Sequence, residues 1–558
     1  MEASWTRPAR LQTCTPESSA SRKVAGTTSR LRTSRLANHR HRSPFMASSA
    51  SCSSAARRAR TSSALPPSPP AAAAAIVVYL RDTRHAYETL RMRTFGRCCL
   101  LGCMQEARSQ MSATHSPNPP ATTKFTWEDL SKLNRPHNAH VAVRGKVYDV
   151  SSFIEKHPGG VDQLLLGAGR DVTILFESYH NFNVSKVLEK YYVGELISNE
   201  LPVYREPNEF SRTVRDRVHR YFKEHNIDPK MCYGMFLRCL VLLLMTNTLW
   251  ALTICCYQMW VWLSVFCACG WGVCSSLLIM SASHDTSHFA VTHKPWVWKL
   301  LGAINDCTTG MSMYVWTHQH VVGHHVHTNV DQVDPDVFTT HEPPDVRRIH
   351  KSQKLLSRYY YQHIYLVFLY CFVGMKKRIQ DFIAVYQLKN LSIRMNPLTH
   401  SQMTIFIVGK FVYITCHLLL PSLYMPLPLV VTFVLLGDFI AWYWLVIITQ
   451  LTHVSADVIW PEPDKNNYID MDWAELQVAT SQDYATDSHF WNFASGALNN
   501  QIAHHLFPGV LQCHYPGVTR VVRETCREFN IEFRHTPSAW EAMKKHVYFL
   551  KRLGQGTD

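Results

Sequence analysis

The stretch "HQHVVGHHVHTN", residues 318–329, places five histidines in twelve positions. Imidazole is a poor filler for an apolar core, because each buried ring nitrogen needs a partner. His320 and His324 are four residues apart, so a helix would bring both rings to one face. The stretch therefore indicates a metal site, a haem site or a histidine-rich surface, and the rest of the chain must distinguish among these.

Two further clusters have the same character. The stretch "HDTSH" carries two histidines four residues apart, and "QIAHH" carries a glutamine within one helical turn of two histidines. We predict a metal centre with these ligands: His284, His288, His320, His324, His325, Gln501, His504, His505 and, from "TQLTHVSAD", His453. So many ligands exceed the three or four of a zinc site and favour two metal ions. Imidazole binds iron, copper, zinc and nickel, so the ligands alone leave the metal open. Four other histidines are interpreted as surface residues: His293, His318, His327 and His350.

A second redox site is predicted ahead of these clusters. Thr126 followed by Asp129 marks the start of a helix and of the ordered chain. His157 precedes the rigid bend Pro158-Gly159-Gly160, and His180 ends the apolar helical segment "DVTILFESYH". Two histidines on separate short helices can hold a haem iron from both faces, which leaves no position for a substrate and makes an electron carrier. Because a carrier is useful only to a redox metal, its presence favours iron over zinc in the metal centre.

Four apolar runs are long enough for a bilayer, which requires about 20 residues. They are residues 235–256, 258–280, 403–420 and 427–448. No Lys or Arg lies between Arg238 and Lys294 or between Lys410 and Lys465, whereas the flanks and the central loop are basic. The positive-inside rule then predicts that the N-terminus, the loop 281–402 and the C-terminus face the cytosol. All three histidine clusters would lie on that side.

Two features of this membrane region are ambiguous from sequence. The aromatic runs 296–316 and 359–374 are short or interrupted, and we interpret them as helices lying in the interface, with a fifth span as the alternative. Lys410 and Asp438 fall inside the third and fourth runs. A charge in a span needs a partner or a polar cavity; pairing of these two residues with each other is one arrangement, and the sequence leaves it open.

The first 110 residues hold 18 Lys and Arg against five Asp and Glu, which accounts for +13 of the net charge of +15. The rest of the chain is nearly balanced, so nucleic-acid binding is a poor interpretation of the charge. The segment is rich in Ser, Arg, Ala and Pro and is predicted to be disordered and dispensable for chemistry. A mitochondrial transit peptide is the alternative, and Met104 and Met111 are candidate internal starts. Many of the 17 cysteines lie in apolar runs, which indicates a reducing or membrane setting rather than a disulfide framework.

The motifs together resemble a known family. His157-Pro158-Gly159-Gly160, followed by Gly167, Gly169, Asp171, Phe176 and His180, resembles cytochrome b5 over residues 124–198. Residues 124–550 resemble a front-end fatty-acid desaturase with a fused N-terminal cytochrome b5, whose three histidine boxes match the three clusters. Glutamine at position 501 is typical of that group. The segments "WTHQHVVGHHVHTN", "DPDVF" and "GALNNQIAHHLFPGV" are most similar to desaturases acting at carbon five of C20 chains. Ala503 departs from the acidic residue found in many relatives, which puts the orientation of His504 and His505 in doubt.

The resemblance implies a multidomain chain. A small α+β cytochrome b5-like haem domain precedes an all-α membrane domain with four transmembrane helices and a cytosolic di-iron cap. The expected division is a disordered extension 1–123, a haem domain 124–198, a linker 199–230, a desaturase domain 231–550 and a tail 551–558.

The resemblance also implies an activity. Electrons from NADH pass through a cytochrome b5 reductase to haem b and then to two non-haem irons, which use O2 to remove two hydrogens from a polyunsaturated acyl chain carried as a CoA or phospholipid ester. The location implied is a membrane, the endoplasmic reticulum. Delta-4, delta-6 or delta-8 desaturation, a sphingoid-base desaturase and a lipid hydroxylase are the enzymatic alternatives. The alternative outside the enzymes is a membrane haem electron carrier, which would hold no iron beyond haem.

Overall fold

A computed structural model describes residues 123–180, 184–342 and 344–557. The predicted extension, apart from Thr123, and both candidate internal starts lie outside the described residues. Among the described residues, every cysteine is free.

The predicted haem domain is a small α+β unit built on a five-stranded sheet. Its helix α1 (Trp127–Ser131) begins as predicted, because Thr126 caps the backbone N–H of Asp129 and the Asp129 carboxylate accepts from Thr126 in return. The sheet order is β1-β5-β4-β3-β2, antiparallel except for the β1–β5 pair. The strands are β1 (Lys124–Phe125), β2 (Asn134–Arg135), β3 (Asn138–Val143), β4 (Lys146–Asp149) and β5 (Tyr192–Leu196).

Three helices cover this sheet: α2 (Val161–Gly167), α3 (Thr173–Tyr179) and α4 (Ser185–Leu188). The core beneath them contains Val141, Val143 and Tyr148 from the sheet together with Leu165 and Val172. The two predicted haem ligands lie at the edge of this core, His157 directly after the 3-10 turn Ile154–Lys156 and His180 directly after α3.

Four long apolar helices follow, and they confirm the four predicted spans by length and composition. They run over Tyr233–Cys256, Val261–Ser287, His400–Ser422 and Leu427–His453. We number them as α5 (Tyr233–Cys256), α6 (Val261–Leu278) with its continuation α7 (His284–Ser287), α8 (His400–Ile414) with its continuation α9 (Leu420–Ser422), and α10 (Leu427–His453). Large apolar side chains of α5, such as Leu237, Leu240 and Leu244, are exposed. Such faces suit contact with lipid.

The aromatic runs do not add a span among the described residues. The first run forms a helix at Pro295–Thr309 and a short one at Met313–Thr317, and the second contributes helices at Gln362–Leu369 and Val373–Gln387. We number these α11, α12, α13 and α14 in that order. None has the length and hydropathy of a membrane span.

Lys410 and Asp438 each pair with a different residue and not with each other. Lys410 on α8 instead forms an ion pair with Asp381 on α14, and Asp438 on α10 forms one with Arg378, also on α14. The partners are distant in sequence. They meet because α14 packs against both long helices and brings Asp381 to Lys410 and Arg378 to Asp438.

The predicted linker is folded and packs against the C-terminal part of the chain. Its strand Val203–Arg205 pairs in parallel with Tyr468–Asp472, and its helix Glu209–Glu224 buries Phe210 and Val214 against the helix Tyr515–Glu528. The helix buries one face because its apolar residues recur every fourth position, at Phe210, Val214, Val218 and Phe222. The predicted tail is also part of the fold, since the last helix runs over Ala539–Gln555 and the Leu553 carbonyl accepts from Arg348.

Candidate metal centre

All nine predicted metal ligands converge in one buried cluster. They come from the C-terminal end of the second long helix, from the segment 318–325, from the end of α10 and from the helix Gln501–Leu506. Every one of these side chains is buried: His284, His288, His320, His324, His325, His453, Gln501, His504 and His505. Ligand residues from helices far apart in sequence therefore meet at one end of the helical bundle.

One group, which we call the first ligand set, consists of His284, His288, His320 and His504. One ring nitrogen from each lies within 4.8 Å of the others. The Nε2 atoms of His320 and His284 are 3.2 Å apart. Among the described residues, the buried Nε2 atoms of His288 and His504 have no hydrogen-bond partner. Buried ring nitrogens without partners are costly, so these two, together with the facing nitrogens of His284 and His320, fit a metal ion.

A second ligand set consists of His324, His453 and His505, again with ring nitrogens within 4.8 Å of one another. Nε2 of His505 lies 3.1 Å from Nε2 of His453. The side-chain nitrogen of Gln501 lies 2.8 Å from that same His453 atom, and the Gln501 amide oxygen is buried with no partner in the described chain. Rotation of the amide by half a turn would present its oxygen to this set.

His325 lies between the two sets. Its ring centroid is 4.4 Å from that of His288 and 4.2 Å from that of His505, against which it stacks. Neither ring nitrogen has a hydrogen-bond partner among the described residues, although both are buried. His325 is therefore placed to serve either set.

The i, i+4 spacing has different consequences in the two boxes. His284 and His288 both join the first set, as their spacing predicts. His320 and His324 lie in a π-helical turn, His318–His324, and they join different sets. The i→i+5 hydrogen bonds of a π-helix widen the turn, and such turns are frequent at functional sites.

A shell of hydrogen-bond partners holds the ligand rings at Nδ1. Nδ1 of His320 lies 3.0 Å from an oxygen of Asp336, and Nδ1 of His324 lies 2.8 Å from one of Asp334. The remaining pairs are His504 with the Tyr515 hydroxyl (3.0 Å), His505 with Gln477 (2.8 Å), His453 with the Thr480 carbonyl (3.3 Å) and His288 with the Tyr179 hydroxyl (3.4 Å). Such partners fix the tautomer and leave Nε2 available to a metal. None of them is predicted as a site residue from the sequence, although the acidic pair in "DPD", ten residues after His324, is a usable signal.

The electrostatics keep most of these imidazoles neutral. Burial, reinforced by the neighbouring histidines, holds the pKa of His288, His325, His504 and His505 well below the ordinary value. Burial also lowers the pKa of His320 to about 3, although Asp336 opposes it. For His324, burial is outweighed by Asp334 and Asp336, which raise its pKa. A neutral imidazole is the form that binds a metal.

Three of the four histidines predicted to lie on the surface are buried. His318, His327 and His350 are buried, whereas His293 is exposed. Each buried ring has a protein partner at Nδ1: the Tyr314 carbonyl, the Tyr204 hydroxyl and the Ser352 hydroxyl respectively. These rings belong to neither ligand set. Ala503 packs in the apolar core with residues such as Val518 and Val522.

The two predicted haem ligands face each other. The ring centroids of His157 and His180 are 6.0 Å apart. A nitrogen–metal bond takes about 2 Å on each side, so this gap suits an iron between the rings. Nδ1 of each ring donates to a carbonyl, of Gly160 at 3.2 Å and of Phe176 at 3.0 Å, which leaves Nε2 available. A Cβ at position 159 would lie 2.7 Å from Cε1 of His157, so the bend requires glycine beside this ring.

An apolar cavity of about 340 Å³ opens beside the metal centre. His284, His320, His324, His453 and Gln501 are among the residues that line it. The walls are mostly apolar and aromatic, with Leu366, Phe372, Val373, Trp442, Leu445 and Val446, and three cations lie along it: Arg347, Lys376 and Lys377. A cavity of this kind can hold an apolar chain with one end against the ligand sets.

Comparisons with known proteins match both halves of the described chain. Residues 259–537 match the fatty acid desaturase family, and residues 126–197 match the cytochrome b5-like heme/steroid binding domain. An "Acyl-lipid (8-3)-desaturase" of Mortierella alpina is 42% identical over 442 residues, which cover 77% of this chain and 97% of the relative. A "Delta(5) fatty acid desaturase A" of Dictyostelium discoideum is 37% identical over 443 residues, 78% of this chain and 95% of the relative. A solved structure of a cytochrome b5 of Ostreococcus tauri virus 2 is 30% identical, covers 13% of this chain and 92% of its own, and has a TM-score of 0.12.

Proposed function

The chain belongs to the fatty acid desaturase family, as a front-end acyl-lipid desaturase with its own cytochrome b5 domain, and on this premise we propose that it forms a cis double bond at carbon five of C20 polyunsaturated acyl chains. The observation that carries the proposal is the convergence of two histidine sets whose members line one apolar cavity. The regiochemistry is supported by the names of the relatives, which include delta-5 and 8-3 desaturases. Front-end desaturation follows from the family, and the position at carbon five is what we propose.

We assign iron to both ligand sets. His284, His288, His320 and His504 would hold one ion, and His324, His453 and His505 with Gln501 would hold the other, while His325 lies between them. The iron pair would supply the oxidising chemistry for removal of one hydrogen from each of two adjacent methylenes, in which O2, two supplied electrons, two protons and the two hydrogens of the chain give two waters. Imidazole suits iron, and the haem domain selects a metal that accepts electrons.

The protein's own contribution is orientation and exclusion of water. Asp334, Asp336, Tyr515 and Gln477 hold the ligand rings at Nδ1, so that each Nε2 points to the centre without reorganisation. The apolar walls of the cavity would exclude water from an acyl chain bound next to the ligand sets. The depth of this cavity relative to the anchored head group would select the carbon that reacts.

Electrons would enter through the haem domain. His157 and His180 are assigned as the axial ligands of a haem b, because their rings face each other with both Nε2 atoms available. A haem held by a histidine on each side would supply electron transfer rather than O2 binding. The donor we propose is an NADH-dependent cytochrome b5 reductase.

The four long apolar helices belong to an integral membrane protein. We propose the endoplasmic reticulum, with the haem domain and metal centre on the cytosolic side, because the basic residues flank that end. A phospholipid ester is the proposed form of the acyl chain, with a CoA ester as the alternative; similarity to an acyl-lipid desaturase supports the former.

The experiment is expression of the chain in a host that lacks polyunsaturated lipids, fed separately with C18, C20 and C22 polyenes. A new double bond at carbon five of a C20 chain, located by mass spectrometry, is the expected product. A new double bond at carbon four, six or eight would contradict the proposed position. A double bond in a sphingoid base would contradict the proposed substrate, and a hydroxyl group in place of a double bond would contradict the proposed reaction. The matched inactive control is His504→Ala, which removes one imidazole of the first ligand set.

A second measurement separates the enzyme from an electron carrier. Purified protein is expected to contain two non-haem irons for each haem. A preparation that holds haem but no further iron, and that converts none of the fed chains, would support the carrier and overturn the desaturase.

A further inference from the structure

The haem domain is docked on the membrane domain through directional contacts. Asn396 donates to the Leu165 and Ala168 carbonyls at 2.6 and 2.9 Å, and Arg394 donates to the Gly169 carbonyl at 2.6 Å. Asp162 pairs with Lys299 at 3.2 Å. These contacts surround α2 and fix the domain in one orientation, because several hydrogen bonds to backbone carbonyls tolerate little rotation.

The loop before α2 adds a steric contact. Gly160 has φ +87° and lies against Pro295 at the start of α11; a Cβ there would lie 2.9 Å from the Pro295 Cβ. The same bend holds His157. The haem pocket is thus adjacent to the surface on which the domain docks.

Tyr179 occupies the point at which this docked domain meets the metal centre. It is the last residue of α3 and precedes His180, a proposed haem ligand. Its hydroxyl oxygen lies 3.4 Å from Nδ1 of His288, a member of the first ligand set. Its ring centroid is 6.1 Å from that of Phe289, and a Cβ at Gly509 would lie 3.1 Å from its Cδ1. The ring is therefore confined between the residue after His288 and the loop after the third histidine cluster.

The chemistry of the contact follows from His288. Its Nε2 is buried and has no hydrogen-bond partner in the described chain, which makes Nε2 the ligand atom. A neutral imidazole that binds a metal through Nε2 carries its proton on Nδ1. Nδ1–H then donates to the Tyr179 oxygen, its one hydrogen-bond partner among the described residues. Every other orienting contact described above comes from the membrane domain, whereas this one comes from the haem domain.

We propose that Tyr179 is a positioning residue by which docking of the haem domain orients His288 and links the two redox centres. This inference assumes the metal and haem assignments of the proposed function. The link from His180 to His288 consists of one peptide unit, one side chain and one hydrogen bond. Across this link one electron would pass from ferrous haem, which would become ferric, to the metal centre, which would gain it.

The test compares Tyr179→Phe with Tyr192→Phe in the purified full-length protein. Phenylalanine retains the ring between Phe289 and Gly509 but removes the acceptor of the His288 proton. Tyr192 is an exposed tyrosine on β5, away from the docking surface, and serves as the matched control. Both variants should keep full haem content, an unchanged haem spectrum and an unchanged haem reduction potential.

The informative readouts are the rate at which iron is lost to a chelator and the rate at which ferrous haem is reoxidised in a single turnover with O2 and acyl substrate. Loss of an outer hydrogen-bond partner typically weakens metal binding by about 10- to 100-fold. We expect Tyr179→Phe to release one of its irons about tenfold faster and to reoxidise haem more slowly, and Tyr192→Phe to match the parent.

A spectroscopic measurement distinguishes a change in the geometry of the first ligand set from a general loss of structure. With cobalt(II) in place of iron, the visible absorption responds to the geometry of the ligand set, and Tyr179→Phe should change it while the control does not. Unchanged iron release, haem reoxidation and cobalt spectrum in Tyr179→Phe would overturn the inference. A parent protein that binds no non-haem iron would instead overturn the proposed function.

Discussion

Arg378 and Asp438 form a buried ion pair with two hydrogen bonds, of 2.5 and 2.8 Å, that ties α14 to the last long helix. The Arg378 side chain is 17% exposed and the Asp438 side chain 7% exposed. The same arginine also donates to the Thr309 carbonyl at 2.7 Å. A charge buried this deeply is tolerated because its partner and the remaining acceptors are in place.

Asp438→Asn should destabilise the protein strongly, because it leaves the Arg378 charge buried without its counterion. Breaking a buried pair typically costs about 3 to 5 kcal/mol. Thermal unfolding in detergent should show a lowered midpoint. The control is Asp470→Asn, whose pair with Arg205 is largely exposed and should contribute little. Equal midpoints for the two variants would contradict the structural role given to the buried pair.

His157→Ala and His180→Ala should each remove haem, because each supplies one of only two axial ligands. The membrane domain should still fold and keep its irons, since neither residue contacts the ligand sets. Absorbance of haem and metal content of the purified variants are the measurements. His137→Ala, on the exposed surface of the same domain, should retain haem. Normal haem absorbance in either ligand variant would disprove the axial assignment.

Asp334→Asn should weaken the second ligand set. The Asp334 carboxylate is buried, accepts from Nδ1 of His324 at 2.8 Å, and also accepts from the Asn329 backbone at 2.8 Å. The amide keeps the shape but removes the charge that polarises the ring, so iron affinity should fall by about 10- to 100-fold. Titration with a competing chelator measures this. Asp331→Asn is the matched control, because Asp331 contacts Ser352 and His350 and no ligand histidine. Equal iron affinity in the two variants would count against the orienting role.

Gln501 should tolerate histidine better than glutamate. Its amide lies 2.8 Å from Nε2 of His453, so Gln501→Glu adds a negative charge next to the metal and should impair conversion strongly. Imidazole is a neutral ligand of similar reach, and Gln501→His should retain more activity. Conversion of a fed C20 polyene, normalised to protein level, is the measurement, with His504→Ala as the inactive limit. Wild-type conversion by Gln501→Ala would show that Gln501 neither binds nor orients the metal.

His546 should make stability depend on pH. Its Nδ1 donates to the Val454 carbonyl at 2.7 Å, its Nε2 accepts from the Tyr370 hydroxyl at 3.0 Å, and burial lowers its pKa to about 4. The unfolded chain takes up the proton near pH 6.5, so the stabilisation is complete above that value and is lost as the pH falls towards 4. Each pH unit in this window should cost about 1.4 kcal/mol.

The comparison for His546 is the stability of the parent and of His546→Gln at pH 7.5 and pH 5.5. Glutamine cannot titrate, so the stability advantage of the parent over the variant should shrink by about 1.4 kcal/mol between these values. Measuring the difference between the two proteins cancels the titration of the other buried histidines. An advantage that stays constant with pH would show that His546 does not titrate in this window.

The sequence by itself determined the elements and the composition of the site. Apolar runs of span length defined the four long helices, because a bilayer accepts no other regular element of that composition. The spacing of His284 and His288 predicted that both rings would lie on one helical face, and the bend at Gly159 and Gly160 predicted the position of His157. These are local properties, set by periodicity and by backbone geometry.

Only the tertiary structure decided how these parts are paired. The division of His320 and His324 between two ligand sets depends on a π-helical turn and on the packing of four separate segments. The partners of Lys410 and Asp438 lie on α14, and the burial of His318 and His327 depends on neighbours distant in sequence. The contact of Tyr179 with His288 joins residues 109 positions apart. Sequence patterns report the preferences of a segment, whereas such pairs are selected by packing and by the need to satisfy buried polar groups across the whole fold.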